Sequence, residues 1–243
     1  MRIAAKTDIG RYRKLNEDSF FTYKNPALLG GMVADGMGGH NAGEVASKMA
    51  TELIKSGIMD GFYPDMDYME FSELVKRSII SANEEIFRKS KMSQNTSGMG
   101  TTAACAFIFN GKLITANVGD SRVYLVKNGE IRQLTKDHSY IEELLDMGEI
   151  TPETAKTHPG RNYITRAIGA EEYVMVDVLI NSYEDETVII CSDGLTTLVS
   201  DEQILSIVSA SKNPEDTVDS LVKLANQKGG ADNITCVVFD GRE

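Results

Sequence analysis

Gly31-Met32-Val33-Ala34-Asp35-Gly36-Met37-Gly38-Gly39-His40 is the stretch on which the reading of this chain turns. Its first half is apolar and predicts a buried strand. One carboxylate, Asp35, then ends the strand, and glycines follow at 36, 38 and 39. A carboxylate ending a buried strand is costly to desolvate unless a cation or hydrogen-bond donors meet it. Glycines beside it let the backbone turn sharply and bring carbonyls close to a ligand. Ala42 to Ser56 then has helical spacing, ending near Gly57. Strand, acid, tight turn and helix is the layout of a site. The same residues also fit an ordinary strand-to-helix turn with a surface aspartate, and within this stretch both readings stand.

Working outward, Arg2 to Ile9 reads as a strand, followed by a polar loop through Arg13 to Asp18. Phe20 to Tyr23 and Leu28 to Ala34 form a hairpin around Asn25-Pro26. Phe71, Leu74, Val75, Ile79, Ala82 and Ile86 fall at helical spacing, which predicts an amphipathic helix over Met69 to Lys91. Then the period changes to that of strands: Thr101 to Phe109, Lys112 to Val118, Arg122 to Lys127 and Glu130 to Thr135. Asn110-Gly111 and Asn128-Gly129 between them are strong hairpin signals, so this is an antiparallel meander. Ser139 to Met147 reads as a short helix, and Thr151-Pro152 starts another helical piece. Tyr173 to Asn181 and Thr187 to Cys191 are strands. Helices start at Ser200 and at Asn213-Pro214, and Ile234 to Phe239 is a final strand. Helices therefore come in two batches and strands in antiparallel runs. This predicts two stacked sheets with helices outside, in one domain over 1–243.

The 243 residues are long enough for a sizeable core. A net charge of -11 argues against nucleic-acid or anionic-membrane surfaces, though not against cations. The longest apolar run, Ala103 to Phe109, is too short to span a bilayer. Three cysteines without metal spacing or a signal-like start suggest a cytoplasmic protein.

The Asp35 pattern recurs. Asp120 follows Ala-Asn-Val-Gly, Asp193 follows Ile-Ile-Cys-Ser, and Asp232 precedes Asn-Ile-Thr-Cys-Val-Val. Asp18, after the first loop, makes a fifth acid. One such aspartate is ordinarily a turn former or helix cap, but several at strand ends are harder to explain that way. If those ends converge, their charge needs a counter-charge. Oxygen ligands with few histidines suit hard cations such as magnesium or manganese.

These residues carry a family resemblance. The pieces are Asp8-x-Gly10-x-x-Arg13-x-x-Asn16-Glu17-Asp18, Val33 to His40 with Gly43-Glu44, Gly98 to Thr102 and Asn117 to Arg122. Asp137-His138-Ser139, Thr165 to Gly169, Ser192 to Leu195 and Asp232 to Thr235 follow in order. Each is short, but together they span nearly the whole chain. The sequence resembles the protein phosphatase 2C family, the metal-dependent serine/threonine phosphatases, in its compact bacterial form. The resemblance implies an α+β fold, a four-layer α-β-β-α sandwich of two antiparallel sheets flanked by helix pairs.

It also implies roles. Asp35 would bridge two ions, Mn2+ or Mg2+, with the Gly36 carbonyl on one of them. Asp193 and Asp232 would complete the protein ligands, and Asp120 would help hold a third, weaker ion. Asp18 would order water, Arg13 would hold the substrate phosphate, Asn233 would support the site, and residues 145–165 would form a flap. A hydroxide between the two ions would attack phosphorus in line. Members of the family from eukaryotes carry Asp-Gly-His where this chain has Asp35-Gly36-Met37. The leaving-group acid is therefore either His40, three residues on, or water on the metal. The implied substrates are phosphorylated proteins made by a serine/threonine kinase, and the kinase itself, acted on by a monomer. The alternative is a non-catalytic, phosphatase-like regulatory module, which retention of the acids and of Arg13 disfavours. Cys236 and Arg242 have the Cys-x5-Arg spacing of thiol phosphatases, but an apolar terminal strand offers no amide cradle. His138 and His158 read as structural or exposed, and the three cysteines as inert buried thiols.

Overall fold

A computed structural model describes residues 2–38, 42–155 and 157–240. The first part of the chain forms β1 (Arg2–Asp8), β2 (Asp18–Lys24), β3 (Leu28–Met37), α1 (Ala42–Gly61) and α2 (Tyr68–Ser90). Next come β4 (Gly100–Thr101), β5 (Ala103–Phe109), β6 (Lys112–Val118), β7 (Arg122–Lys127) and β8 (Glu130–Gln133). Then come α3 (Tyr140–Asp146), α4 (Pro152–Ala155), β9 (Asp177–Ser182), β10 (Thr187–Cys191) and α5 (Asp193–Thr196). The described chain closes with α6 (Asp201–Ala210), α7 (Pro214–Gln227) and β11 (Ile234–Asp240).

One sheet runs β1-β11-β10-β7-β8 and the other β2-β3-β5-β6-β9, with β4 beside β3; every pairing is antiparallel. The layers follow from side-chain alternation. Along β3, Leu28, Met32 and Ala34 face α1 and α2, while Leu29 and Val33 face the other sheet. Along β11, Ile234, Cys236 and Val238 face α6 and α7, while Val237 and Phe239 face inward. Three apolar layers thus separate four structural ones, and this is the expected α-β-β-α sandwich. Burial on both faces explains why these strands are almost continuously apolar. The predicted hairpins have left-handed residues in both turn positions, Asn110 (φ 49) with Gly111 (φ 68) and Asn128 (φ 53) with Gly129 (φ 79).

Several elements depart from the sequence reading. The expected meander divides into two hairpins, β5-β6 in one sheet and β7-β8 in the other, because β6 and β7 do not pair: the turn at Gly119 (φ +103) carries the chain from one sheet to the other. β3 does not end at Asp35 but continues to Met37, because Gly36 and Met37 pair with Thr101 and Gly100. Helix α1 runs through Gly57 to Gly61. A Cβ at Gly57 would lie 2.8 Å from Ser78 Oγ, so this glycine permits close packing on α2 and does not stop the helix. The strand expected from Tyr173 begins only at Asp177. Upstream, Asn83 Nδ2 donates to the carbonyls of Glu171 and Glu172, and Arg166 donates to that of Met175. Those carbonyls are bound by side chains instead of a neighbouring strand.

Candidate active site

The loop between β1 and β2, the end of β3, the β6–β7 turn, the start of α5 and the residues before β11 meet at one end of the sandwich. There they line a cavity of about 440 Å³ that includes Arg13, Asp35, Asp120, Asp193 and Asp232. Four acids far apart in sequence are thus brought together, with Arg13 among them. Asp18 lies under the floor, 7% exposed, in register with Asp35 across β2 and β3.

Asp35 is held through its backbone. Its N–H donates to Thr102 Oγ1 at 2.9 Å, and its carbonyl accepts from Thr102 N and Thr101 Oγ1. Thr102 Oγ1 also meets Ser121 Oγ at 2.7 Å, which ties β3 to the turn carrying Asp120. Gly119, at φ +103, is needed there: a Cβ would sit 2.5 Å from the Thr102 methyl. Asp193 opens α5. Asp232 Oδ2 accepts from Arg13 Nη2 at 2.7 Å. Asn233 holds the Arg13 loop, donating to the carbonyls of Ile9 and Leu15 at 3.0 Å and accepting from Glu17 N at 2.8 Å. Asp18 Oδ2 accepts from Ser192 Oγ at 2.8 Å.

Burial and mutual repulsion set the charge state. Burial pushes Asp18 up to about 7, aided by Asp193 and Asp232. It pushes Asp120 up to about 7, with Asp193 adding repulsion. Burial also raises Asp35 well above the usual carboxylate range, where Asp18, Asp193, Asp120 and Asp232 all add to it, and raises Asp193. Asp18 Oδ1 is buried without a hydrogen-bond partner among the described residues. Among those residues, no three His, Cys, Asp or Glu side chains are gathered tightly enough to hold an ion by themselves. The acids instead ring the cavity, and their surplus of buried negative charge suits a divalent cation that keeps part of its water.

The cavity also holds residues the sequence reading did not single out. Glu17 lines it, packs closely against Gly43 at the start of α1, and is raised by burial. Its place beside Asp18 in the first motif was the available signal. Thr102, Ser121 and Ser192 form the buried polar frame; Ser121 and Ser192 were signalled only by standing beside Asp120 and Asp193, and Thr102 only by ending the piece Gly98 to Thr102. Arg161, Asn162 and Ile164 approach from the expected flap. His40 lies outside the described residues, as does Arg242. His138 is buried; its Nδ1 accepts from Gly119 N at 3.0 Å and its Nε2 faces Asp177 at 3.1 Å, a structural clamp. His158 Nδ1 accepts from Gly160 N, as a structural residue would. Cys105, Cys191 and Cys236 are free, fully buried, and raised by burial, the last to about 12.

The comparisons with known proteins agree with this layout. The family profile described as Protein phosphatase 2C matches residues 9–143. The chain belongs to the protein phosphatase 2C family. It is 38% identical over 248 residues to the serine/threonine phosphatase stp of Listeria monocytogenes, covering 99% of this chain and 96% of that one. The crystal structure of a bacterial serine phosphatase superposes with a TM-score of 0.92 at 35% identity, covering 100% and 98%. The catalytic domain of the phosphatase PstP, solved in complex with two manganese ions, superposes with a TM-score of 0.83 at 35% identity, covering 98% and 97%. As a protein phosphatase 2C member, the chain is a metal-dependent serine/threonine protein phosphatase, a hydrolase of phosphoric monoesters. Among the described residues no helix is long and apolar enough to cross a membrane.

Proposed function

We propose that residues 1–243 act as one catalytic domain that hydrolyses phosphoserine and phosphothreonine in proteins, with manganese or magnesium in the cavity. The observation that carries this reading is the gathering of Asp35, Asp120, Asp193 and Asp232 around Arg13 in one cleft. In it, Asp35, the Gly36 carbonyl, Asp193 and Asp232 would hold two ions, and Asp120 with Asp193 would hold a third, weaker one. Bound there, the ions supply a water of lowered pKa and positive charge beside the phosphoryl oxygens. Support comes from the charge surplus of the cleft and from the two manganese ions of the PstP catalytic domain.

The side chains of this protein do the rest. Arg13 binds the phosphate with its guanidinium fork, exchanging its bond to Asp232 for one to the phosphoryl oxygens. Asp18, fixed by Ser192, accepts from water at the floor of the cleft. A water oxygen–phosphorus bond forms as the phosphorus–oxygen ester bond breaks opposite it, giving inorganic phosphate and an alkoxide. The alkoxide takes a proton from His40 or from water in the cleft. The substrates are made by a serine/threonine kinase, since only such an enzyme supplies these esters in proteins, and the kinase itself is among them. The proposal extends to a cytoplasmic monomer, and the free, buried thiols fit a reducing compartment.

Hydrolysis of p-nitrophenyl phosphate tests the reading. Turnover is expected with manganese or magnesium and not after EDTA, while iodoacetamide leaves it unchanged. Turnover that persists after complete chelation would overturn it.

A further inference from the structure

A second cavity, of about 690 Å³, opens beside the first. The two share Asp120, Arg161, Asn162, Asp193, Thr197 and Leu198 as walls, so one continuous groove leads away from the acids. Its apolar lining comes from Ile141 and Leu145 of α3, Pro152 and Ala155 of α4, and Leu198 after α5. Apart from the exposed Pro152 these side chains are half-buried, so the groove leaves apolar surface open to solvent. Glu142 lines the same cavity, half-buried, and burial raises it. Of the acids in the segment Tyr140 to Ala155, Glu142 is the one that lines the groove; Asp146 is paired with Lys136, and Arg122, bonded to Asp137, and Arg161 also line the cavity.

An extended peptide advances about 3.3 Å per residue, so a chain with its phosphorylated residue in the first cavity carries its near neighbours into the second. Apolar surface beside a carboxylate such as Glu142 complements an apolar side chain accompanied by a cation. We propose that this groove receives the substrate segment flanking the phosphorylated serine or threonine. It would take a large apolar side chain against Leu145 and Leu198 and a lysine or arginine beside it, facing Glu142 of α3. The inference rests on the phosphatase reading above and narrows its substrate class to phosphoproteins with apolar–basic flanks.

A positional library of phosphothreonine peptides, assayed with manganese, tests it. At one position within four residues of the phosphothreonine, a large apolar residue should raise kcat/KM about tenfold over serine, the effect of burying one such side chain. A neighbouring lysine should raise it over glutamate. Leu145→Ser should erase the apolar preference and Glu142→Lys should invert the charge preference, both with p-nitrophenyl phosphate turnover within about twofold of the parent. A flat profile, or preferences unchanged in both variants, overturns the proposal. If either variant loses turnover altogether, the profile of the unsubstituted protein decides alone, and flatness is again the overturning result. Failure of the unsubstituted protein on p-nitrophenyl phosphate would strike the phosphatase reading instead, so the two failures are separable.

Discussion

Thr102 and Ser121 join their buried hydroxyls at 2.7 Å, and through that bond the strand carrying Asp35 is tied to the turn carrying Asp120. Thr102 Oγ1 also accepts from Asp35 N, so one hydroxyl serves both acids. Thr102→Val keeps the shape and strands a buried N–H and a buried hydroxyl. The expected loss is about 2 kcal/mol of stability or more. The manganese concentration for half-maximal activity should also rise. Thr102→Ser keeps the hydroxyl and loses a methyl that packs on Gly119, a cost of about 0.8 kcal/mol, with the manganese dependence unchanged. Chemical denaturation and metal titration of the two variants check this. Equal effects from both would mean that packing alone matters.

The raised carboxylates make the metal-free protein sensitive to pH in a defined direction. Asp18 and Asp120 carry folded-state values of about 7 against an ordinary 3.8. The folded chain therefore holds protons that the unfolded chain has released, and their stabilisation is lost as pH rises between those values. A divalent cation bound only to the folded form offsets the loss. The increase in Tm on adding manganese should thus grow from pH 5 to pH 7.5, as read by differential scanning calorimetry. An increase independent of pH would contradict the charge surplus as its cause.

Asp35→Asn separates folding from chemistry. The amide removes a charge that burial and four neighbouring aspartates oppose. Without added metal at pH 7.5, its Tm should equal or exceed that of the parent. Its activity should fall by more than about a hundredfold, beyond the usual loss for a supporting residue. A destabilised Asp35→Asn protein would show that the carboxylate mainly serves the fold.

Arg13 and Asn233 should separate binding from positioning of the same loop. Arg13→Ala removes the cation that reaches Asp232 and should raise KM about tenfold or more, the worth of a charge-assisted bond. Its Tm should stay close to that of the parent, since the side chain is half exposed. Asn233→Ala strips three bonds from the loop and should lower both stability and affinity for phosphate. Steady-state kinetics with inorganic phosphate as competitive inhibitor measures the affinity. Unchanged KM in both variants would remove Arg13 from phosphate binding.

Much of the fold was legible because local chemistry and tertiary structure agree. Asn110-Gly111 and Asn128-Gly129 specify tight hairpins, since few residues accept two successive left-handed positions. The helical stripe through Phe71, Val75, Ile79 and Ile86 points into one core. The acids beside apolar strands marked the cavity, because a buried carboxylate has no role in packing.

What remained closed to the sequence depends on partners distant along the chain. Gly57 reads as a helix end until Ser78 is seen against it. Tyr173 to Val176 reads as strand until Asn83 and Arg166 are found holding the nearby carbonyls. Nothing near Ile141 or Leu145 shows that both border a groove opening onto Asp193, 48 or more residues away. The sequence by itself determined the layers, the tight turns and which acids could matter, because side-chain period and burial cost are local properties. Only the tertiary structure decided where strands and helices stop and which hydroxyls frame the acids. Those outcomes are set by competition between a backbone group's neighbours in sequence and its neighbours in space.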